Sequence, residues 1–161
     1  MMNKDTPEIS IIMGSQSDWS VMIDASSLLE ELGIPHETKI ISAHRTPDRM
    51  AEFAKSALSN GIKVIIAGAG GAAHLPGMIS SLTSLPVLAV PIESKFINGL
   101  DSLLSIVQMP KGCPTATMAI NGAFNAGLHA ASIIGTFDLK VRSNLEKWKR
   151  LQTKSVKKKI K

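Results

Sequence analysis

Lys63-Val64-Ile65-Ile66-Ala67 runs directly into Gly68-Ala69-Gly70-Gly71-Ala72-Ala73-His74-Leu75-Pro76-Gly77. The first five residues predict a strand, because a short continuous apolar run rich in β-branched residues suits a strand buried on both faces. The next ten predict a strand-to-helix loop, with a short helix reaching about Ser84. Three glycines in four positions let the backbone approach a ligand or take positive φ. Small Ala72 and Ala73 leave room beside His74. A tight turn holding a satisfied histidine is the structural alternative to a binding loop.

The same pattern extends in both directions. Ile9-Ser10-Ile11-Ile12-Met13 is a second continuous apolar strand, and it enters Gly14-Ser15-Gln16-Ser17-Asp18. Val21, Met22, Ala25, Leu28, Leu29 and Leu32 then follow helical spacing, with Gly33 as a C-cap. Glu37 to Ile41 predicts another strand, followed by Ser42-Ala43-His44-Arg45-Thr46-Pro47. Thr46 suits an N-cap, Pro47 the first helical position and Asp48 the first turn. The helix carries Met50, Phe53, Ala54, Ala57 and Leu58 on one face and ends at Asn60-Gly61. Beyond the central stretch, Pro86 to Val90 predicts a strand, Pro91 to Gly99 a loop and Leu100 to Gln108 a helix. Thr115 to Ile120 predicts a fifth strand and Ala123 to Ile134 a closely packing helix of small residues. A last helix is expected from Phe137 to about Val156, with a basic tail over 157–161.

Strands alternating with helices at about 25-residue spacing imply an α/β three-layer sandwich on a five-stranded parallel sheet. One domain over 1–161 is expected, with its core over about 9–135. The flavodoxin-like order 2-1-3-4-5 places ligands at the carboxyl ends of the strands, between strands one and three. The three polar turns follow strands one, two and three, and their convergence is the main argument for a site.

Each turn offers distinct chemistry. The Gly14–Asp18 turn opens a helix, where backbone N–H groups and two hydroxyls suit phosphate and Asp18 suits ribose hydroxyls. Simple capping by Ser17 or Asp18 explains the same residues. His44 can exchange a proton near neutral pH, and Arg45 can pair with phosphate through a bidentate fork. His36 and His129 read as structural. The four histidines lack metal-ligand spacing, and the single cysteine, Cys113, excludes an intramolecular disulfide or a Cys-based zinc site.

Composition narrows the class. Hydrophobic residues make up 44% of the 161, yet no run of 18 apolar residues occurs. With no signal-peptide pattern either, the expected compartment is the cytoplasm. The formal charge of +5 is uneven: residues 140–161 hold ten Lys/Arg against Glu146 alone, and the first 139 carry eight basic and twelve acidic residues. Nucleic-acid binding through the tail is disfavoured, because Tyr is absent and Phe and Trp total six.

With these motifs assembled, the chain resembles the N5-carboxyaminoimidazole ribonucleotide mutase family, the PurE catalytic subunit of bacterial purine biosynthesis, from about Ile9 to Ile134. Gly14–Asp18, Ser42–Pro47 and Gly68–Met78 are similar to its first three motifs, and Asp101-Ser102-Leu103-Leu104-Ser105-Ile106-Val107-Gln108-Met109-Pro110 to a fourth. The resemblance implies a carboxylate shift from the exocyclic nitrogen of an imidazole ribonucleotide to ring carbon 4, with no ATP, metal or organic cofactor. It implies that His44 is the general acid/base, and that Ser15, Asp18 and Arg45 bind the ribose phosphate. Ser17, Ser42, Ala43 and Leu75 join the substrate contacts, while Ala69, Gly70, Gly71 and His74 line the cavity for carbon dioxide and the base. It also implies a homo-octamer. A stripe of Leu145, Trp148 and Leu151 on the basic last helix suggests packing on a neighbouring subunit.

Two features depart from the family's pattern: a short turn with only Asn121 between Ile120 and Gly122, and a strongly basic tail. Rival readings are an aminoimidazole ribonucleotide carboxylase that uses free carbon dioxide, and a non-catalytic nucleotide-binding module.

Overall fold

The computed structural model describes residues 6–159. Its five strands are β1 (Ile9–Met13), β2 (His36–Ile40), β3 (Val64–Gly70), β4 (Val87–Ile92) and β5 (Ala116–Thr117). Its six helices are α1 (Trp19–Leu32), α2 (Pro47–Ser56), α3 (Leu75–Ser80), α4 (Leu100–Val107), α5 (Ala123–Ile134) and α6 (Leu139–Ser155). The sheet order is β2-β1-β3-β4-β5, and every pairing is parallel. This is the order expected from the alternation of strands and helices.

The pleat divides the core into two layers. Ile9, Ile11, Met13, Val64, Ile66, Leu88 and Val90 meet α1, α5 and the base of α6 on one face. Ile12, Ile65, Ala67, Val87 and Ala89 meet α2, α3 and α4 on the other. Both faces of β1, β3 and β4 are therefore dry, which explains why their sequences are continuous apolar runs rather than alternating ones. Each fully buried aliphatic side chain contributes about 1.5–3 kcal/mol relative to exposure.

Several boundaries differ from expectation. β3 continues through Gly68, Ala69 and Gly70, pairing with Val90, Pro91 and Ile92 of β4. The first three residues of the glycine-rich "loop" are thus strand, and Pro91 and Ile92 belong to β4. The fifth strand shrinks to two ladder residues, because Pro91 supplies no N–H with which to extend the pairing. Met118 and Asn121 still donate their N–H groups to the carbonyls of Ala89 and Pro91. α2 stops at Ser56 and turns through Gly61, leaving Leu58 59% exposed instead of on the apolar face. α3 is shorter than expected and ends at Ser80. Gly33 takes the left-handed C-cap as expected, at φ 70°.

The stripe on α6 is only partly available to a neighbouring subunit. Leu145 is buried on this chain's own core and Trp148 packs against it, with Phe124 of α5 5.8 Å from the indole centroid. Asn144 Nδ2 donates to the Leu32 carbonyl at 2.9 Å. Leu151 alone of the three stays exposed. The last two residues of the basic tail, 160–161, lie outside the described residues.

α1 and α5 approach closely because α5 presents Ala126, Gly127 and Ala130. A Cβ on Gly127 would stand 3.1 Å from Leu28 Cδ2 and 3.3 Å from the Ala25 backbone. Gly127→Val should therefore push the helices apart and lower unfolding stability by about 1–3 kcal/mol, measured as a reduced urea midpoint with unchanged slope.

Candidate active site

The turns after β1, β2 and β3 meet at the carboxyl end of the sheet around a cavity of about 510 Å³. Gly14, Ser15 and Asp18 form one side, Ser42 to Arg45 a second, and Ala69 to Ala72 with His74 and Leu75 a third. A fourth wall, which the sequence alone did not suggest, comes from Ile92 at the end of β4 and from Glu93, Ser94 and Lys95 after it. The sequence held a signal for it: strand order 2-1-3-4-5 puts the end of β4 beside the end of β3.

The first turn is both a cap and a wall. Ser15 Oγ accepts the Ser17 N–H at 3.1 Å, and the Asp18 carboxylate accepts the Ser15 N–H at 3.1 Å. This reciprocal capping box closes a single 3₁₀ turn, Gln16–Asp18, ahead of α1. The capping side chain is Ser15, in place of the expected Ser17 or Asp18. Ser17 is the one expected contact outside the cavity lining; its hydroxyl bonds Ser15 Oγ and, at 3.4 Å, Asp18 Oδ1.

Arg45 ties the first two turns together. Its Nε donates to Ser42 Oγ at 3.2 Å and its Nη2 to the Gly14 carbonyl at 3.2 Å. Nη1 has no such partner among the described residues, so the guanidinium is held in place with a donor to spare. Thr46 occupies the N-cap position of α2 without capping it. Its hydroxyl instead donates to the Ser42 carbonyl at 2.8 Å and accepts the Ser42 N–H at 3.1 Å, closing the turn that presents His44.

His44 and His74 come together. Their nearest ring nitrogens, Nε2 and Nδ1, are 2.8 Å apart, and the rings meet edge to face with centroids 4.9 Å apart. A hydrogen bond between two imidazoles needs one donor and one acceptor, so it holds only while at least one of these nitrogens lacks a proton. The pair thus links the second wall of the cavity to the third.

The glycines serve different ends. A Cβ on Gly68 would fall 2.5 Å from Met22 Sδ, so this glycine lets α1 lie on the sheet. Gly71 turns the chain at φ 64°, where a side chain is disfavoured. Ala73, expected beside His74, is fully buried in the core under α3. His36 bonds Ser26 Oγ and the Ile34 carbonyl, consistent with a structural place. His129 lies at a separate surface hollow near β5. Among the described residues no cluster of three His, Cys, Asp or Glu could hold a metal ion.

A family model described as AIR carboxylase matches residues 8–155. The chain belongs to this family. It is similar to the N5-carboxyaminoimidazole ribonucleotide mutase of Thermotoga maritima, at 64% identity over 129 residues, covering 80% of this chain and 75% of that protein. It is 56% identical over 151 residues to the protein of the same name from Brucella melitensis, covering 92% and 93%. Among solved structures, Treponema denticola PurE aligns with a TM-score of 0.84 at 27% identity, covering 92% of each chain. The AIR carboxylase family match thus spans the fold and all four walls of the cavity.

Burial pushes the Asp18 carboxyl above its ordinary range, opposed by the Ser15 N–H, the Ser17 hydroxyl and the Arg45 charge. A carboxyl raised in the folded state costs stability when ionised, and that cost disappears once pH falls below the unfolded value. Asp18→Asn, which keeps an acceptor for Ser15, should therefore match or exceed the native chain's melting temperature at pH 7. The difference between the two chains should shrink as pH falls towards 4, in paired thermal melts.

Proposed function

We propose that the chain is an N5-carboxyaminoimidazole ribonucleotide mutase of purine biosynthesis, converting its substrate to 4-carboxy-5-aminoimidazole ribonucleotide. The observation that carries this reading is the His44–His74 pair placed beside a fixed guanidinium, in a chain 56–64% identical to proteins with that name. No ATP, metal or organic cofactor enters the reaction. The carboxylase alternative draws less support, because the high-identity relatives carry the mutase name.

In this reading the ribose phosphate sits against Ser15 and the free donor of Arg45, with Asp18 accepting the ribose hydroxyls. Ser42 and Ala43 complete that side, and Ser17 acts through Ser15. The imidazole lies between the two histidines and the strand end at Ala69 to Gly71, with Leu75 beneath. His44 gives a proton to the exocyclic nitrogen as its bond to the carboxylate carbon breaks, releasing carbon dioxide. Ring carbon 4 then attacks the carbon dioxide, the new carbon–carbon bond forms, and His44 takes the proton that carbon 4 loses. The proton count closes, so the enzyme returns to its starting state. His74, bonded to His44 Nε2, holds that ring's orientation and tautomer. Confinement keeps the freed carbon dioxide at high effective concentration beside carbon 4.

The same reading makes the protein a cytoplasmic homo-octamer. Exposed Leu100, Leu104 and Val107 at helical spacing along α4, with exposed Phe96 in the turn before it, support self-association. The basic tail takes no part in chemistry.

The decisive measurement is turnover of the N-carboxylated ribonucleotide by purified protein in the absence of ATP and added metal, set against aminoimidazole ribonucleotide plus bicarbonate. Efficient turnover of the second pair alone would replace the mutase reading with the carboxylase one. His44→Asn should lower kcat by about 10²- to 10⁴-fold while retaining substrate binding by calorimetry. Near-normal turnover in a folded variant would remove His44 from the role. Deleting residues 154–161 should leave turnover unchanged in the same assay.

A further inference from the structure

We propose that Ser102, on the buried side of α4, is a positioning residue that locks the third and fourth walls of the cavity together and so prevents released carbon dioxide from escaping before it recombines. The inference rests on the mutase reading above.

Ser102 is fully buried. Its hydroxyl accepts the Gly71 N–H at 2.8 Å and donates to the Ile92 carbonyl at 2.6 Å. One side chain thus joins the ends of β3 and β4 at the two residues where each strand gives way to the cavity. A serine inside a helix ordinarily bonds the carbonyl four residues back. Ser105, one turn later, does so, donating to the Asp101 carbonyl at 2.7 Å and, more weakly, to the Gly71 carbonyl at 3.3 Å, without reaching β4. Ser102 does not, and a buried hydroxyl spent between two loops has a use that an alanine would not supply.

The fourth wall is held from outside at each of three consecutive residues. Ser102 holds the Ile92 carbonyl. Asn121 Oδ1 accepts the Glu93 N–H at 2.9 Å, and Asn121 Nδ2 donates to Glu93 Oε2 at 3.1 Å. Asp101 Oδ1 accepts from Ser94 Oγ at 2.7 Å and from the Ser102 N–H at 2.9 Å. The short turn at Asn121 therefore acts on the cavity through Glu93. None of these bonds includes Ser15, Asp18, Ser42 or Arg45, so the phosphate side and the carbon dioxide side are braced separately. Loosening Ser102 should open the second while sparing the first.

That separation gives a readout that general destabilisation does not move. In the coupled reaction the nitrogen–carbon bond breaks and a carbon–carbon bond forms, with no net proton change. In the leak the same bond breaks, the nitrogen keeps the proton it received, carbon dioxide and aminoimidazole ribonucleotide depart, and His44 regains its proton from water. The experiment follows both products from N5-carboxyaminoimidazole ribonucleotide with the full chain, corrected for the enzyme-free rate. Ser102→Ala should raise the leaked fraction roughly tenfold with KM within about twofold of the native value, and Ser102→Thr, which restores a hydroxyl, should bring it back down. Ser26→Ala, which removes a buried hydroxyl bonded to His36 in the other layer, should leave the partition at the native value. Asn121→Gly, suited to the φ of 58° there, serves where Ser102→Ala does not fold, and should also raise the leak. A native partition in folded Ser102→Ala, or in Asn121→Gly where it stands in, overturns the proposal and leaves the mutase reading intact. Native protein that forms no carboxylated product overturns both.

Discussion

The pairing of β3 with β1 on one side and β4 on the other is the constraint from which the rest follows. All seven residues of β3 lie in the sheet, and helices cover both of its faces. A parallel strand so placed must be apolar along its length and must return through helices on either side. At its carboxyl end the side chains become small: Gly68 admits Met22 of α1, and Ala69 and Gly70 leave the space that becomes the cavity. Packing and binding thus draw on the same residues, one for a helix and the next for a ligand.

Around that space the chain spends polar side chains on holding its own loops. Arg45 reaches across to Gly14, Thr46 closes the turn that carries His44, and Ser102 joins Gly71 to Ile92. Loops at strand ends are ordinarily the mobile part of such a fold. Here each wall carries at least one hydrogen bond from a side chain outside it, which pre-organises the site before a substrate arrives. The two imidazoles are the exception. Both are exposed, and they are bonded to each other rather than to the scaffold, which suits groups that must give up one partner for another.

The last helix shows how one stripe of residues can serve a nearer purpose than its pattern suggests. Leu145 and Trp148 complete the chain's own layer over α1 and α5, and Asp138 caps the helix through the N–H groups of Lys140 and Val141. The acidic body and basic end are then one folded unit as far as Ser155. Exposed apolar residues remain at Leu139 and Leu151 of this helix, and a further group runs from Phe96 to Val107.

Local chemistry was enough to place β1, β3, α1 and α5, because continuous apolar runs, a left-handed glycine cap and a stripe of small residues each have one economical arrangement. The alternation of strands and helices then fixed the sheet order, and with it the convergence of Ser15, Asp18, His44, Arg45 and His74. What local chemistry could not decide was where strands end, since Gly68 to Gly70 and Pro91 are poor strand formers held in the sheet by their neighbours. It also could not show the fourth wall, the partnership of His44 with His74, or the task of Ser102. Each of these depends on which residues, 10 to 31 positions apart, the closed sheet brings within hydrogen-bonding distance. Local pattern determines what a segment can become, and only the assembled sheet determines what it touches.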